Sequence, residues 1–349
     1  MTAATDAHAR ITIDPNAVAR NWRALAARTG AETAAVVKAN AYGLGIEVVA
    51  PALLAAGCRT FCVAFMSEGL TLRALAPDAT IYVLNGIFDD RRTAIDARLV
   101  PFISDDAALK EWPNAPFVLN VDTGMHRLGF TPWDAALVSR RPVLIASHFA
   151  CADTPDHPLN ATQEAAFAAI RNHLPEVPAS LANSAAVLTR PHAHYQLTRP
   201  GIALYGGIAA DAVAPLEPAV SLEARIIQVR SVPARETVGY GAAQTMTRDS
   251  RIAIASLGYA DGYLRAAGGS DEAPGAPAAF DGQPVKLCGR VSMDLVSVDV
   301  TNTAAKRGDW LELFGPTVPL ADAAAAAGTI GYELLTGLSR RAERIIGRL

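Results

Sequence analysis

Between residues 34 and 207 the chain repeats one pattern: a short, continuously apolar run, then small or polar punctuation, then a stretch with helical character. The runs AAVVK, TFCVAF, TIYVLNG, LVPFIS, FVLNV, VLIASHF, ASLAN and the segment around QLTRPGIALYG alternate with GIEVVAPALLAAG, SEGLTLRALA, DDRRTAIDARL and NATQEAAFAAIRNHL. Strands that are apolar at every position belong in a sheet covered by helices on both faces. Eight such strand–helix units fold most simply as a closed (β/α)8 barrel, with a doubly wound open sheet as the runner-up. Upstream, ITIDPNAVARNWRALAARTG predicts a short strand at 10–13, then a helix with Asp14 as N-cap, Pro15 at its first position and Gly30 as its stop.

The pattern changes after about residue 216. SLEARIIQVRSV, RIAIASLGY, QPVKLCG, VSMDLVSVDV and DWLELF are strand-like, several with period-two alternation, and long helices are absent until the tail. This predicts an α/β protein of two domains: a barrel over 1–216 and a mostly antiparallel β domain over 217–349, with strand 10–13 able to pack against the latter. A length of 349 residues agrees, being more than one hydrophobic core usually holds. The stretch AAGGSDEAPGAPAAFDG, rich in Gly, Pro and Ala, reads as a loop.

A net charge of −3 without a basic block gives no electrostatic footing for nucleic acid or an anionic membrane. The apolar runs are too short to span a bilayer, and MTAATDAHARITID lacks the charged and apolar regions of a secretory signal, so a cytoplasmic protein is expected. Cys58, Cys62, Cys151 and Cys288 lack the spacing of a metal or redox site, so reduced thiols and no metal are expected.

Barrel enzymes of this kind carry their chemistry at the carboxyl ends of the strands. Lys38 ends the first run; Asp122 and Arg127 follow the fifth; His148 ends the sixth; Asn183 and Ser184 follow the seventh; Arg199 ends the eighth. Singly, each has an ordinary structural explanation. Five strand ends supplying such groups are harder to dismiss. Ser184 and the RPGI turn fall after strands seven and eight, where barrels build phosphate sites from backbone N–H groups. A lysine, a phosphate cradle and two arginines on one rim suggest a phosphorylated aldehyde held as a Schiff base, namely pyridoxal phosphate.

The motifs VVKANAYGLG, VDTGMHRLGF, SHFACAD, NSAA, RPGIALYG, GYADGY, CGRVSMD and TIGYELLTGL occur in this order along the whole chain. In them the chain resembles the alanine racemase family of barrel-type pyridoxal phosphate enzymes. The resemblance implies interconversion of L- and D-alanine by two bases, Lys38 on one face of the substrate and Tyr259 of GYADGY on the other. It implies that Lys38 carries the cofactor, that Tyr42 and Tyr332 contact its phosphate, and that Ser184, Gly201 and Ile202 give that phosphate hydroxyl and backbone donors. Asn183 stands beside Ser184 in the same motif. Arg199 matches the arginine facing the pyridine nitrogen, and His148 lies between it and the tyrosine. Arg127 and the backbone N–H of Met293 match groups that hold the substrate carboxylate. A homodimer with shared active sites follows, because the family takes its tyrosine from the partner subunit.

Some positions depart from the family pattern. Many members carry a carbamylated lysine where this chain has Asn120; an anion such as chloride near Asn120 and Arg127 could stand in for its charge. Ser292 replaces a usual Cys, His126 a small residue, and RRAER the usual tail RVPR. The competing expectations are a broad-specificity amino-acid racemase and a non-catalytic pyridoxal phosphate carrier. The carrier lacks the second domain and the GYADGY tyrosine, both present here.

Overall fold

The computed structural model describes residues 7–131, 140–207 and 216–349. They form two compact units, one built from Val18–Leu204, the other from the chain before it and Glu217–Leu349.

In the first unit the predicted barrel is present and closed. Its strands are Glu32–Thr33 continuing into Ala35–Val36, then Thr60–Val63, Thr80–Val83, Leu99–Ile103, Val118–Asn120, Leu144–Ala146, Ala179–Ser180 and Leu197–Thr198. Neighbours pair parallel in chain order through Ala179–Ser180. The last strand returns to the first, with Leu197 opposite Glu32 and Thr198 opposite Thr33. The ring is sealed where Gln196 N donates to Ala179 O at 3.1 Å and Ala34 N to Thr198 O at 2.9 Å. Closure excludes the open doubly wound sheet. The strands are short, yet Phe61, Cys62, Val63, Ile81, Val83 and Ile145 are wholly buried, as continuous apolar runs require. The helix Pro15–Ala26 starts where the sequence places it, with Asp14 Oδ1 accepting from the amides of Asn16 at 2.9 Å and Ala17 at 3.0 Å.

The second unit holds an eight-stranded sheet. In spatial order it runs Ser250–Ala255, Val296–Asp299, Gln283–Leu287, Pro277–Phe280, Trp310–Phe314, Val220–Val232, Ala9–Ile13 and Glu343–Ile346. The thirteen-residue strand Val220–Val232 is long enough to serve three partners. Its first half pairs with Ala9–Ile13 and Trp310–Phe314, and its second half with Ser250–Ala255, so the first six strands close on themselves.

One expectation is corrected here, and one strand was not foreseen. The Gly/Pro/Ala-rich stretch read as a loop contains the strand Pro277–Phe280, hairpinned to Gln283–Leu287. Asp281 and Gly282 both take positive φ (48° and 72°) and form a two-residue turn. The Asp-Gly pair was the available signal, since such a turn demands left-handed residues. The tail, meanwhile, ends on a strand, Glu343–Ile346, parallel to Ala9–Ile13. Among the described residues no helix is long and apolar enough to cross a membrane, and no three His, Cys, Asp or Glu side chains gather as a metal site would need.

Candidate active site

The first barrel strand stops at Val36, two residues before Lys38. Lys38 opens a tight turn in which Ala39, Asn40, Ala41 and Tyr42 all take left-handed φ, between 52° and 55°. Each non-glycine residue in that region costs roughly 1–2 kcal/mol. Ala41 N donates to Val37 O at 2.8 Å, Gly43 N to Ala39 O at 2.7 Å, and the Asn40 carboxamide accepts from Ile46 N at 2.8 Å. Asparagine visits this backbone more readily than other non-glycine residues, whereas Ala39, Ala41 and Tyr42 adopt it against their steric preference. The turn leaves Lys38 half-buried. Burial and the nearby Arg127 hold its ammonium pKa below the usual value, against weaker opposition from Cys62 and Glu68.

Arg199 follows the eighth strand and is 5% exposed. Its guanidinium donates to the Ser180 hydroxyl and, at 2.6 Å, to the Ser147 carbonyl. It also faces Nδ1 of His148 at 3.5 Å. An arginine has only hydrogens to offer, so Nδ1 must present its lone pair and the imidazole proton sits on Nε2. Burial, then Arg199, Arg127 and Lys38, push the His148 pKa down to about 3. His148 keeps some solvent contact, and three cations around it oppose its protonation. The imidazole is neutral at any physiological pH.

Asn183 caps the short helix Ser184–Thr189, accepting from Ala186 N at 3.1 Å. The Ser184 hydroxyl receives the amides of Gly201 at 2.8 Å and Ala203 at 3.3 Å, bringing two loops to one point next to Ile202. A Cβ on Gly201 would collide with the phenol oxygen of Tyr42. That absent side chain therefore lets Tyr42 lie against the RPGI turn. Ser184, Gly201, Ile202 and Tyr42 lie together at this point, and Asn183 serves as the cap beside them.

Arg127 stands on a loop organised by Asp122, whose Oδ1 accepts from the amides of Gly124, Met125 and His126 at 2.8, 2.9 and 3.2 Å. Burial works to raise the Asp122 pKa, but these three donors outweigh it and hold the carboxyl below its usual value. Asn120 donates to the Ser104 hydroxyl at 3.0 Å. Ser104 and Arg127 both line a pocket of about 360 Å³ that Asp105 and Asp122 also border.

Tyr259, Met293 and Tyr332 belong to the second unit, where they are 43%, 54% and 39% exposed. Tyr259 N donates to Ser292 O at 3.1 Å and Ala260 N to Met293 O at 3.0 Å, so the GYADGY and CGRVSMD motifs lie side by side. Sequence reasoning missed Ser147 and Ser180, which fix Arg199. It also missed Gln163, fully buried, whose amide donates to the His148 carbonyl at 2.9 Å and the Thr123 hydroxyl at 3.3 Å. Their one signal was a polar residue within or beside an apolar run.

A barrel needs no buried guanidinium, depressed lysine and amide cradle at one rim for its stability. Together they define an enzyme of the parallel-barrel class whose chemistry centres on a lysine amine. The chain belongs to the alanine racemase family: the model of the alanine racemase N-terminal domain matches residues 13–209, and that of the C-terminal domain residues 219–346. It is 47% identical to the biosynthetic alanine racemase of Agrobacterium fabrum, over 96% of this chain and 93% of that protein. It is 39% identical to the catabolic alanine racemase of the same organism, over 98% and 93%. The solved alanine racemase of Bartonella henselae, with covalently bound pyridoxal phosphate, superposes with a TM-score of 0.88 at 36% identity, covering 98% of this chain and all of that one. The biosynthetic alanine racemase of Pseudomonas aeruginosa gives a TM-score of 0.89 at 37% identity, over 98% and 100%.

Proposed function

We propose that this chain interconverts L- and D-alanine with pyridoxal phosphate, using Lys38 and Tyr259 as its two bases. The observation that carries the reading is one barrel rim on which the half-buried Lys38, the buried Arg199 backed against His148, and the Ser184–Gly201 turn lie together, with the Lys38 pKa lowered by burial and Arg127. The residues present fit the cofactor: the amine is biased toward its neutral, nucleophilic form, and the Ser184 hydroxyl, the Gly201 turn and the Tyr42 phenol make a cradle that a single Cβ would fill. Ile202, Asn183 and Tyr332 complete the phosphate side in this assignment.

When bound, the cofactor supplies an electron-accepting ring that acidifies the Cα–H bond of the amino acid. Lys38 takes or returns the Cα proton on one face. Tyr259 does so on the other; a free phenol has a pKa of about 10, so it needs positive charge nearby to work at neutrality. His148, with its proton on Nε2 and Arg199 behind Nδ1, is suited to relay that charge. Arg199 is assigned to the ring nitrogen. Because it does not release a proton, Arg199 would leave that nitrogen largely unprotonated, which would favour prompt return of a proton to Cα over transamination. Arg127 and the Met293 N–H orient the substrate carboxylate.

The same reading extends to assembly and setting. The exposure of Tyr259, Met293 and Tyr332 supports a homodimer in which each barrel over 1–216 is completed by the β domain over 217–349 of a second copy. A chloride ion beside Asn120 and Arg127 replaces the charge of the carbamylated lysine, and the pocket bordered by Ser104 and Arg127 has room for it. The higher identity to the protein named biosynthetic than to the one named catabolic favours a biosynthetic role, and we infer that this role is D-alanine supply for the cell wall from the cytoplasm.

The test has two arms. Borohydride reduction of the cofactor-loaded protein, followed by peptide mapping, is expected to tag Lys38; a tag on Lys110, Lys286 or Lys306 overturns the assignment. Chiral analysis of an amino-acid panel is expected to give alanine the highest turnover. Comparable turnover of large or basic amino acids replaces the alanine assignment by the broad-specificity one.

A further inference from the structure

The GYADGY motif contributes more than its first tyrosine. Its aspartate, Asp261, has a side chain only 1% exposed, in a segment otherwise given over to a short turn. A buried carboxylate is unfavourable unless paired and hydrogen-bonded, and Asp261 is both. Oδ2 accepts from Gly258 N at 2.9 Å, closing the 3-10 turn Tyr259–Asp261 onto itself. Oδ1 faces Nε of Arg341 at 3.4 Å and Nε2 of His8 at 3.3 Å. The Asp261 carbonyl accepts from Ser339 N at 3.0 Å.

Arg341 reaches further. While Nε faces Asp261, its Nη2 donates to Oδ1 of Asp294 at 2.8 Å, and Asp294 directly follows Met293. One half-exposed guanidinium thus spans the turn that bears Tyr259 and the segment that bears Met293. The two segments already touch through backbone, since Tyr259 N and Ala260 N donate to the carbonyls of Ser292 and Met293. Gly258 has no room for a Cβ against those same carbonyls. Tyr259 is 43% exposed within its own subunit, so the backbone of this turn has a large share in setting its direction.

We propose that Asp261 is a positioning residue for Tyr259, and that Arg341, by bridging Asp261 to Asp294, holds Tyr259 in register with Met293. The proposal rests on the reading of Tyr259 as the second base. It assigns a function to an ion pair that reaches the active-site groups only through the backbone of the segments bearing them. A displacement of the order of 1 Å in an acid–base group costs up to roughly 10²-fold in rate, so a small tilt of this turn is enough to register.

The test compares Asp261→Asn, Arg341→Gln and Arg341→Lys with wild type and Tyr259→Phe, in the cofactor-loaded protein. Loss of the α-proton of each alanine enantiomer is followed separately in deuterated water. In Asp261→Asn and Arg341→Gln, exchange is expected to fall roughly tenfold or more for the enantiomer served by Tyr259, and to stay near wild type for the one served by Lys38. Arg341→Lys, which keeps the charge, recovers part of the loss. Hydrogen exchange of the cofactor-free protein supplies a readout independent of turnover: amides of 257–263 lose protection in Arg341→Gln while those around Lys38 do not. Should Asp261→Asn fail to fold, the half-exposed Arg341 variants carry the test alone. Equal loss for both enantiomers, no loss for either, or unchanged protection of 257–263 overturns the proposal. Symmetrical exchange in Tyr259→Phe itself overturns the base assignment instead, which separates the two failures.

Discussion

Nδ1 of His148 stands 3.5 Å from the guanidinium of Arg199, which is held in place by its 2.6 Å bond to the Ser147 carbonyl. A cation locked against one ring nitrogen fixes the tautomer and opposes protonation of the ring. It also leaves the other nitrogen, with its hydrogen, available to a second partner.

His148 should therefore remain neutral far into acid. With a folded pKa of about 3 and an unfolded value of about 6.5, the unfolded chain binds the extra proton between those limits. Stability from this group is present above about pH 6.5 and is lost as pH falls toward 3, with a slope of at most about 1.4 kcal/mol per pH unit. Histidine ring nitrogen shifts recorded from pH 8 to 4 should show that the His148 imidazole, identified by its loss in His148→Asn, does not titrate. A His148 resonance titrating near 6.5 would contradict the neutral imidazole assigned here.

Tyr259→Phe should leave cofactor binding intact and reduce racemisation by at least about 10²-fold, the usual contribution of an acid–base group. The α-proton of the enantiomer served by Lys38 should still wash out in deuterated water. Residual exchange that is equal for both enantiomers contradicts the two-base scheme.

Gly201→Ala should damage the phosphate side without unfolding the barrel. The added methyl meets the Tyr42 phenol oxygen, so the phenol or the turn must move. Overpacking of this kind costs about 1–3 kcal/mol, which predicts a loss in pyridoxal phosphate affinity of about 5-fold to 10²-fold. Equilibrium dialysis against the cofactor, with circular dichroism as the control on folding, gives the answer. Unchanged affinity would mean that Tyr42 does not serve the phosphate.

Exchanging chloride for a large, weakly coordinating anion at constant ionic strength should lower activity, because Asn120 brings no charge to Arg127. Constant ionic strength matters, since screening alone alters the substrate's attraction. Asn120→Lys should make activity responsive to carbon dioxide. Indifference of the wild type to the anion would leave the Asn120–Ser104 hydrogen bond as the support of this loop.

Much of this was legible in the chain itself, and the reason is local. Continuous apolar runs separated by helix-length amphipathic stretches are satisfied by a covered parallel sheet, so that sheet follows from periodicity. Its closure into a barrel rests on the pairing of Leu197–Thr198 with Glu32–Thr33. Asp14 before Pro15 fixes a helix start because the cap and the first turn are contiguous. The motif glycines likewise announce backbone that a Cβ could not enter. Tertiary structure decided what depends on distant partners. Pro277–Phe280 looks like loop by composition and becomes a strand because Gln283–Leu287 and Trp310–Phe314 supply its hydrogen bonds. Glu343–Ile346 is a strand only because Ala9–Ile13 lies beside it. The left-handed turn after Val37 holds against its own steric preference through bonds to Val37 and Ile46 and one to Glu68. The tautomer of His148 belongs to Arg199, 51 residues away, and the setting of Asp261 to His8 and Arg341 at opposite ends of the chain. Sequence determines which groups are present and what local backbone they accept; only the fold brings charge to charge, and electrostatics depends on that distance.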